Sequence, residues 1–213
     1  MGITVDTDGS VTVIPPTGLK SEAIKKVVQK KARWIFGKQR YFTELRSRFP
    51  VKEFVSGEEA LFLGKRYRLK VISNGNVPEI RREGRRIYVG VSSVQKKNQI
   101  KSLLTDWYQM QADDVIKKRV ERLSPKVGVQ PKAIKVKNQE KRWGSCSKAG
   151  ILRFNWKIIM APASIIDYVA VHELCHLKFQ NHSSAFWKLV ASVLHDYRER
   201  REWLKQNAPT LGI

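Results

Sequence analysis

The chain has 213 residues, 42% of them hydrophobic, and a formal charge of +22. That length and composition describe one large or two small folded domains around an apolar core, not a disordered chain. No apolar run is long enough to span a bilayer, two cysteines exclude a disulfide framework, and the first ten residues lack the basic start and apolar run of a secretory signal; no membrane association and a cytoplasmic location are expected.

In chain order, residues 3–14 alternate apolar and polar side chains around Asp8-Gly9 and predict a hairpin. Residues 21–48 predict a helix with an apolar stripe of Ile24, Val27, Val28, Ile35, Phe42 and Leu45 behind a back crowded with lysine and arginine. Residues 60–63 and 67–72 flank Gly64-Lys65-Arg66 as antiparallel strands, and residues 86–91 follow the Gly84 turn as another. A long helix is expected over residues 93–123, closed by Pro125. Residues 133–137 and 150–156 read as two strands joined by NQEKRWGSCSKA.

Two helices are expected to follow. The first starts at Ser164, with Asp167 reaching back as a capping box, and is apolar nearly all round, so it should be buried. The second covers residues 183–205. Residues 1–92 are expected to form a basic N-terminal region packed on a core at residues 93–213.

The first of these helices contains His172-Glu173-Leu174-Cys175-His176, and all four histidines of the chain lie between positions 172 and 195. Residues four apart on a helix share a face one turn apart, so His172 and His176 can aim two imidazoles at one point, half of a tetrahedral zinc site. Glu173 can reach a water molecule there without being a ligand, as general base and then general acid. Cys175 points away from the shared face and reads as a small core residue, and Tyr168, one turn before His172, as packed.

His182 is the favoured third ligand. It lies six residues after His176, the separation of the extended HExxHxxGxxH zinc proteases, although Phe179 stands at the glycine position and no Met-turn follows. Gln180-Asn181 is the expected turn, because asparagine tolerates left-handed backbone. His195 and Glu199 remain alternatives.

The run Arg142-Trp143-Gly144-Ser145-Cys146-Ser147, then Asn155-Trp156, Pro162, Asp167-Tyr168-Val169, HELCH, Asn181-His182-Ser183 and Phe186-Trp187, resembles the YgjP-like metal-dependent hydrolases, relatives of the SprT-type proteases. The motif-bearing match covers about residues 135–190. The resemblance implies an α+β, zincin-like metallopeptidase fold with antiparallel strands, Zn2+ on His172, His176 and His182, Glu173 as catalytic acid/base, and a peptide or protein substrate. In such a fold a strand beside the helix can hold extended substrate, which makes residues 150–156 a candidate ledge and Arg142 a candidate oxyanion or carboxylate contact.

Charge raises a second possibility. Residues 161–213 are near neutral at +1, so the preceding 160 carry +21. Such a surface attracts polyanions, nucleic acid above all, and equally serves as a solvated surface that keeps the protein in solution. The alternatives to a plain peptidase are therefore a nucleic-acid-binding protein with a structural zinc and a DNA-associated SprT-like protease.

Overall fold

The computed structural model describes residues 2–5, 9–16, 18–19, 21–48, 52–73, 78–139 and 142–213, with the side chains of residues 45–48 left aside. The chain divides into two compact units, residues 1–51 and 52–213, and the expected boundary at 92/93 falls inside the second.

In the first unit β1 (Gly2–Val5) pairs antiparallel with β2 (Val11–Ile14) from Gly2↔Ile14 to Val5↔Val11, the expected hairpin. Asp8 of its turn lies outside the described residues. The single helix expected over 21–48 is two, α1 (Ser21–Lys30) and α2 (Ala32–Arg48), parted at Lys31. Of the expected apolar stripe only Ile35 is buried among the described side chains, and Trp34 and Phe36 are exposed.

The second unit holds the core that positions the site. A four-stranded sheet has the order β3-β4-β6-β5, where β3 is Glu59–Phe62, β4 Lys65–Ser73, β5 Glu79–Glu83 and β6 Arg86–Val91. β3 and β4 are antiparallel, as expected, and β5 and β6 likewise, but β4 and β6 are parallel. The cause is β5, an edge strand of sequence EIRRE whose polar pattern hides it from periodicity; the chain visits the far edge before returning beside β4.

On β4 the alternating Tyr67, Leu69 and Val71 turn inward, with Ile87, Val89 and Val91 of β6 beside them. They share a core with α3 (Lys97–Val127), whose Ile100, Leu104, Tyr108, Ala112, Ile116, Val120 and Leu123 recur every three or four residues and are all buried. Pro125 does not end α3. It sits within the last turn, and the left-handed Gly128 caps the helix by donating its N–H to Ser124 and Pro125 carbonyls.

A three-stranded sheet follows in the order β7-β9-β8, with β7 Ala133–Lys137, β8 Gly144–Cys146 and β9 Ile151–Asn155. β8 forms inside the connection NQEKRWGSCSKA, where no strand was expected. β9 is therefore the central strand, parallel to β7 and antiparallel to β8, so it cannot offer the ledge expected at residues 150–156. A 3-10 turn, Trp156–Met160, then delivers α4 (Ala163–Cys175).

The start of α4 is fixed by close approach. Leu63 and Gly64 donate their N–H groups to Ile159 and Met160 carbonyls, and a Cβ on Gly64 would lie 2.8 Å from Pro162 Cα. The expected capping box is absent: Pro162 stands at the N-cap, and Asp167 instead takes Arg119 at 2.6 Å and both oxygens to Arg122 at 2.9 Å, tying α4 to α3. A carboxylate offered two guanidinium groups gains more than from one exposed backbone N–H. The last expected helix is also two, α5 (Ser184–Val193) and α6 (Tyr197–Asn207), broken at Leu194, which adopts extended geometry.

Candidate metal centre

α4 ends one residue short of His176, so the two histidines of HELCH sit on its final turn, with Val169, Ala170, Val171, Leu174 and Cys175 of the same helix buried in the core. The chain then reverses without glycine. Leu177 and Lys178 donate to Leu174 and Cys175 carbonyls, a tightening into three-residue bonds, and Gln180 donates to the His176 carbonyl at 2.7 Å. No residue of this turn has a positive φ, which corrects the expectation of left-handed geometry at Gln180-Asn181.

The reversal returns His182 to the pair. Its Nε2 lies 3.1 Å from His172 Nε2, and His176 Nε2 lies 3.2 Å from the same atom. Ligand atoms of all three lie within 4.8 Å of one another. Two Zn–N bonds of ordinary length at a tetrahedral angle set the nitrogens about 3.3 Å apart, so the two pairs through His172 match a shared cation and the third pair lies within 4.8 Å.

Hydrogen bonding alone does not account for the cluster. His176 Nδ1 lies 2.9 Å from the Phe179 carbonyl, which places its proton on Nδ1 and leaves Nε2 a lone pair. His172 would then have to serve two neighbours through one nitrogen. Its own Nδ1 is buried without a partner, a cost of about 1–3 kcal/mol that a bound cation on Nε2 would have to offset.

Aromatic packing holds the imidazoles in place. The fully buried Phe186 has its ring centroid 5.0, 4.6 and 4.9 Å from His172, His176 and His182. Trp187 stacks on His182 at 5.6 Å and 23°. Both rings come from α5, whose N-cap, Ser183, accepts the Phe186 N–H. Tyr168 is buried, 6.0 Å from the His172 ring.

Electrostatics follow from burial. It is the main force pushing His172 down to about 3, helped by His176, His182 and Arg201, and it also lowers His182. Neutral imidazole is the form that binds metal. Burial drives Glu173 up to about 8 against the opposing pull of Arg142. It also pushes the Cys175 thiol up to about 12, in keeping with an inert core residue.

Glu173 lies against β8. A Cβ on Gly144 would fall 2.6 Å from its Cγ and Oε1, so only glycine leaves room for the carboxylate. Asn155 N–H donates to the Trp143 carbonyl and Ser147 N–H to Ile151, and by antiparallel alternation Gly144 and Cys146 turn their own N–H and C=O away from β9, toward the free edge. The buried Asn155 donates to Gln139 and Arg142 carbonyls and secures the loop that carries Arg142. Arg142 is exposed and pairs with no acid among the described residues.

The sequence-expected residues thus separate. His172, His176 and His182 come together, Glu173 follows His172 on the same helix and feels the charge of Arg142, and His195 and Glu199 stand exposed outside the three-histidine group. Gly144, Phe186 and Arg201 gained no role from the sequence. Glycine inside RWGSCS and the aromatic pair after His182 were the available signals; Arg201 left none.

Comparison with known proteins bears on the chain as a whole. No curated protein matches it. Two solved structures are similar to part of it: the metallopeptidase zymogen abylysin of Pyrococcus abyssi, at 21% identity over 43% of this chain and 93% of that one with a TM-score of 0.39, and the metallopeptidase zymogen jannalysin of Methanocaldococcus jannaschii, at 22% over 44% and 96% with a TM-score of 0.40. The model of the YgjP-like metallopeptidase domain matches residues 1–207, and by that match, which takes in nearly the whole sequence, the chain belongs to the YgjP-like family.

Proposed function

We propose that the protein is a zinc-dependent peptidase of zincin-like arrangement, in which His172, His176 and His182 hold the metal and Glu173 is the general base. The convergence of three imidazole Nε2 atoms is the observation that carries this reading. A three-nitrogen donor set suits zinc. When bound, the cation would polarise the scissile carbonyl and acidify a water molecule.

The chain's own residues do the rest. Glu173 takes a proton from the attacking water and returns it to the leaving amine. Extended substrate lies along the free edge of β8, pairing with the N–H and C=O groups of Gly144 and Cys146 beside Glu173. Arg142, next to that edge, contacts the substrate from the Glu173 side. All of these residues fall within 93–213, which form one compact unit with residues 52–92.

A structural zinc is the weaker reading. It needs a closed site, and among the described residues no fourth histidine, cysteine or carboxylate joins the three.

The test is paired substitution. Glu173→Gln should keep zinc at one equivalent while cleavage of a casein-like substrate falls at least about 1,000-fold, within the range for loss of a catalytic base. His182→Ala should lower zinc content as measured by plasma mass spectrometry. Undiminished cleavage by Glu173→Gln rejects the mechanism, and full zinc in His182→Ala rejects the ligand set.

A further inference from the structure

A cation site has a poor neighbour in Arg201. Its guanidinium lies over the Trp187 ring at 5.1 Å, and Trp187 in turn lies 5.6 Å from His182 and 5.9 Å from His172. Its charge is felt at His172, His182 and Tyr168, in each case opposing a further positive charge or favouring a negative one. A guanidinium this close to imidazoles that hold a cation works against metal affinity.

Among the described residues no acid neutralises it. The preceding residue, Arg200, is held at 2.9 Å by Asp196 and donates to the Ser164 carbonyl, a structural tie between α6 and α4. Arg201 is exposed and has no acidic partner among the described residues. Tyr197, one turn earlier on α6, stacks on the same Trp187 at 5.4 Å and 18°, so the shelf under the guanidinium is itself braced. A planar cation resting on an indole keeps its N–H edge free for a planar anion.

We propose that Arg201 receives a carboxylate of the substrate, so that the site selects peptides carrying a negative charge beside the bond to be cut. The inference rests on the peptidase reading and names its substrate class. The carboxylate can come from a free C-terminus or from an acidic side chain. The only geometry the anion needs is the Arg201 guanidinium over Trp187, whose ring stacks on that of His182.

Binding is measured on zinc-loaded full-length Glu173→Gln protein, by calorimetry, with three N-acetylated peptides of one neutral sequence: a free acid, its amide, and an amide with one internal glutamate. At least one acid-bearing peptide is expected to bind about ten-fold more tightly than the neutral amide, the worth of one charge-assisted pair. Arg201→Gln should erase the difference and Arg201→Lys should keep part of it, because lysine retains the charge and loses the fork. The arm that responds tells a C-terminal from a side-chain carboxylate.

Equal affinity for all three peptides, absence of binding, or an acid preference that survives Arg201→Gln overturns the proposal. So does loss of zinc from Arg201→Gln, which would make the residue a support for the site. Turnover is not read in this assay, so a peptide that binds Arg201 yet resists the protein with Glu173 intact counts against the hydrolase and leaves the carboxylate contact standing.

Discussion

Glu173 is an acid surrounded by packed side chains, 5% exposed, with Oε2 buried and unpartnered. Its pKa of about 8 in the metal-free fold, against 4.5 in an unfolded chain, makes the folded protein hold a proton that the unfolded chain has released. Stability from this group is full below 4.5 and is lost as pH rises toward 8. His172, held at about 3, contributes in the opposite sense, its effect growing from pH 3 to 6.5 and flat above. Between pH 6.5 and 8 only the decline due to Glu173 remains of the two. Urea denaturation in the presence of chelator should therefore show the protein losing roughly 2 kcal/mol across that window while Glu173→Gln holds level. Parallel curves for the two proteins would mean that the carboxyl is ionised in the fold.

Between elements, the decisive approach is that of β8 to the last turn of α4. β8 is three residues long and among the described residues pairs with β9 alone, yet Gly144 lets its backbone lie against the Glu173 carboxylate. Gly144→Ala should push that carboxylate aside and leave the imidazoles, which Phe186 holds from α5, where they are. The expected result is cleavage reduced about 100-fold with zinc content unchanged, a displacement effect of the size seen when a reacting group is moved by an ångström. Loss of zinc together with activity would show instead that β8 supports the histidines. The same scale explains why some elements were legible and others not. α4 and the central run of α3 announce themselves by apolar spacing, whereas β5 and β8 are short, polar edge strands that exist because a neighbour pairs with them.

Across the whole chain, four of the basic residues behind the +21 of residues 1–160 share one cleft. This cleft of about 530 Å³ is lined by Lys65, Arg66, Tyr67, Arg82, Gly84 and Arg85. It exists because β4 and β6 run parallel, which brings the β3-β4 and β5-β6 turns to the same end of the sheet. Arg82 is poised there by a bond to the Tyr67 hydroxyl at 2.9 Å, and Lys65, Arg82 and Arg85 meet no acid among the described residues. If a nucleic acid docks on this surface, reversing Arg82 and Arg85 to glutamate should weaken binding of a short DNA and flatten its dependence on salt by about two counterions, read by fluorescence anisotropy. Binding that is unaffected by salt, or absent, would leave the charge as a solvated surface. No helix among the described residues is long and apolar enough to cross a membrane.

What the sequence determined by itself is local in origin. Two histidines one turn apart with a glutamate between them need only a helix to converge, and a helix is specified by neighbours three and four residues away. His182 came into reach for the same reason, six residues on, although the turn that brings it back uses tightened helical bonds where the spacing suggested a left-handed residue. Tertiary structure decided whatever depends on residues far apart in the chain: the parallel pairing of β4 with β6, the glycine that admits Glu173, the Asp167 carboxylate drawn from its own helix end to Arg119 and Arg122, and Arg201 set over Trp187. Such contacts are chosen by packing and by the cost of leaving charge unpaired, and neither leaves a period in the sequence.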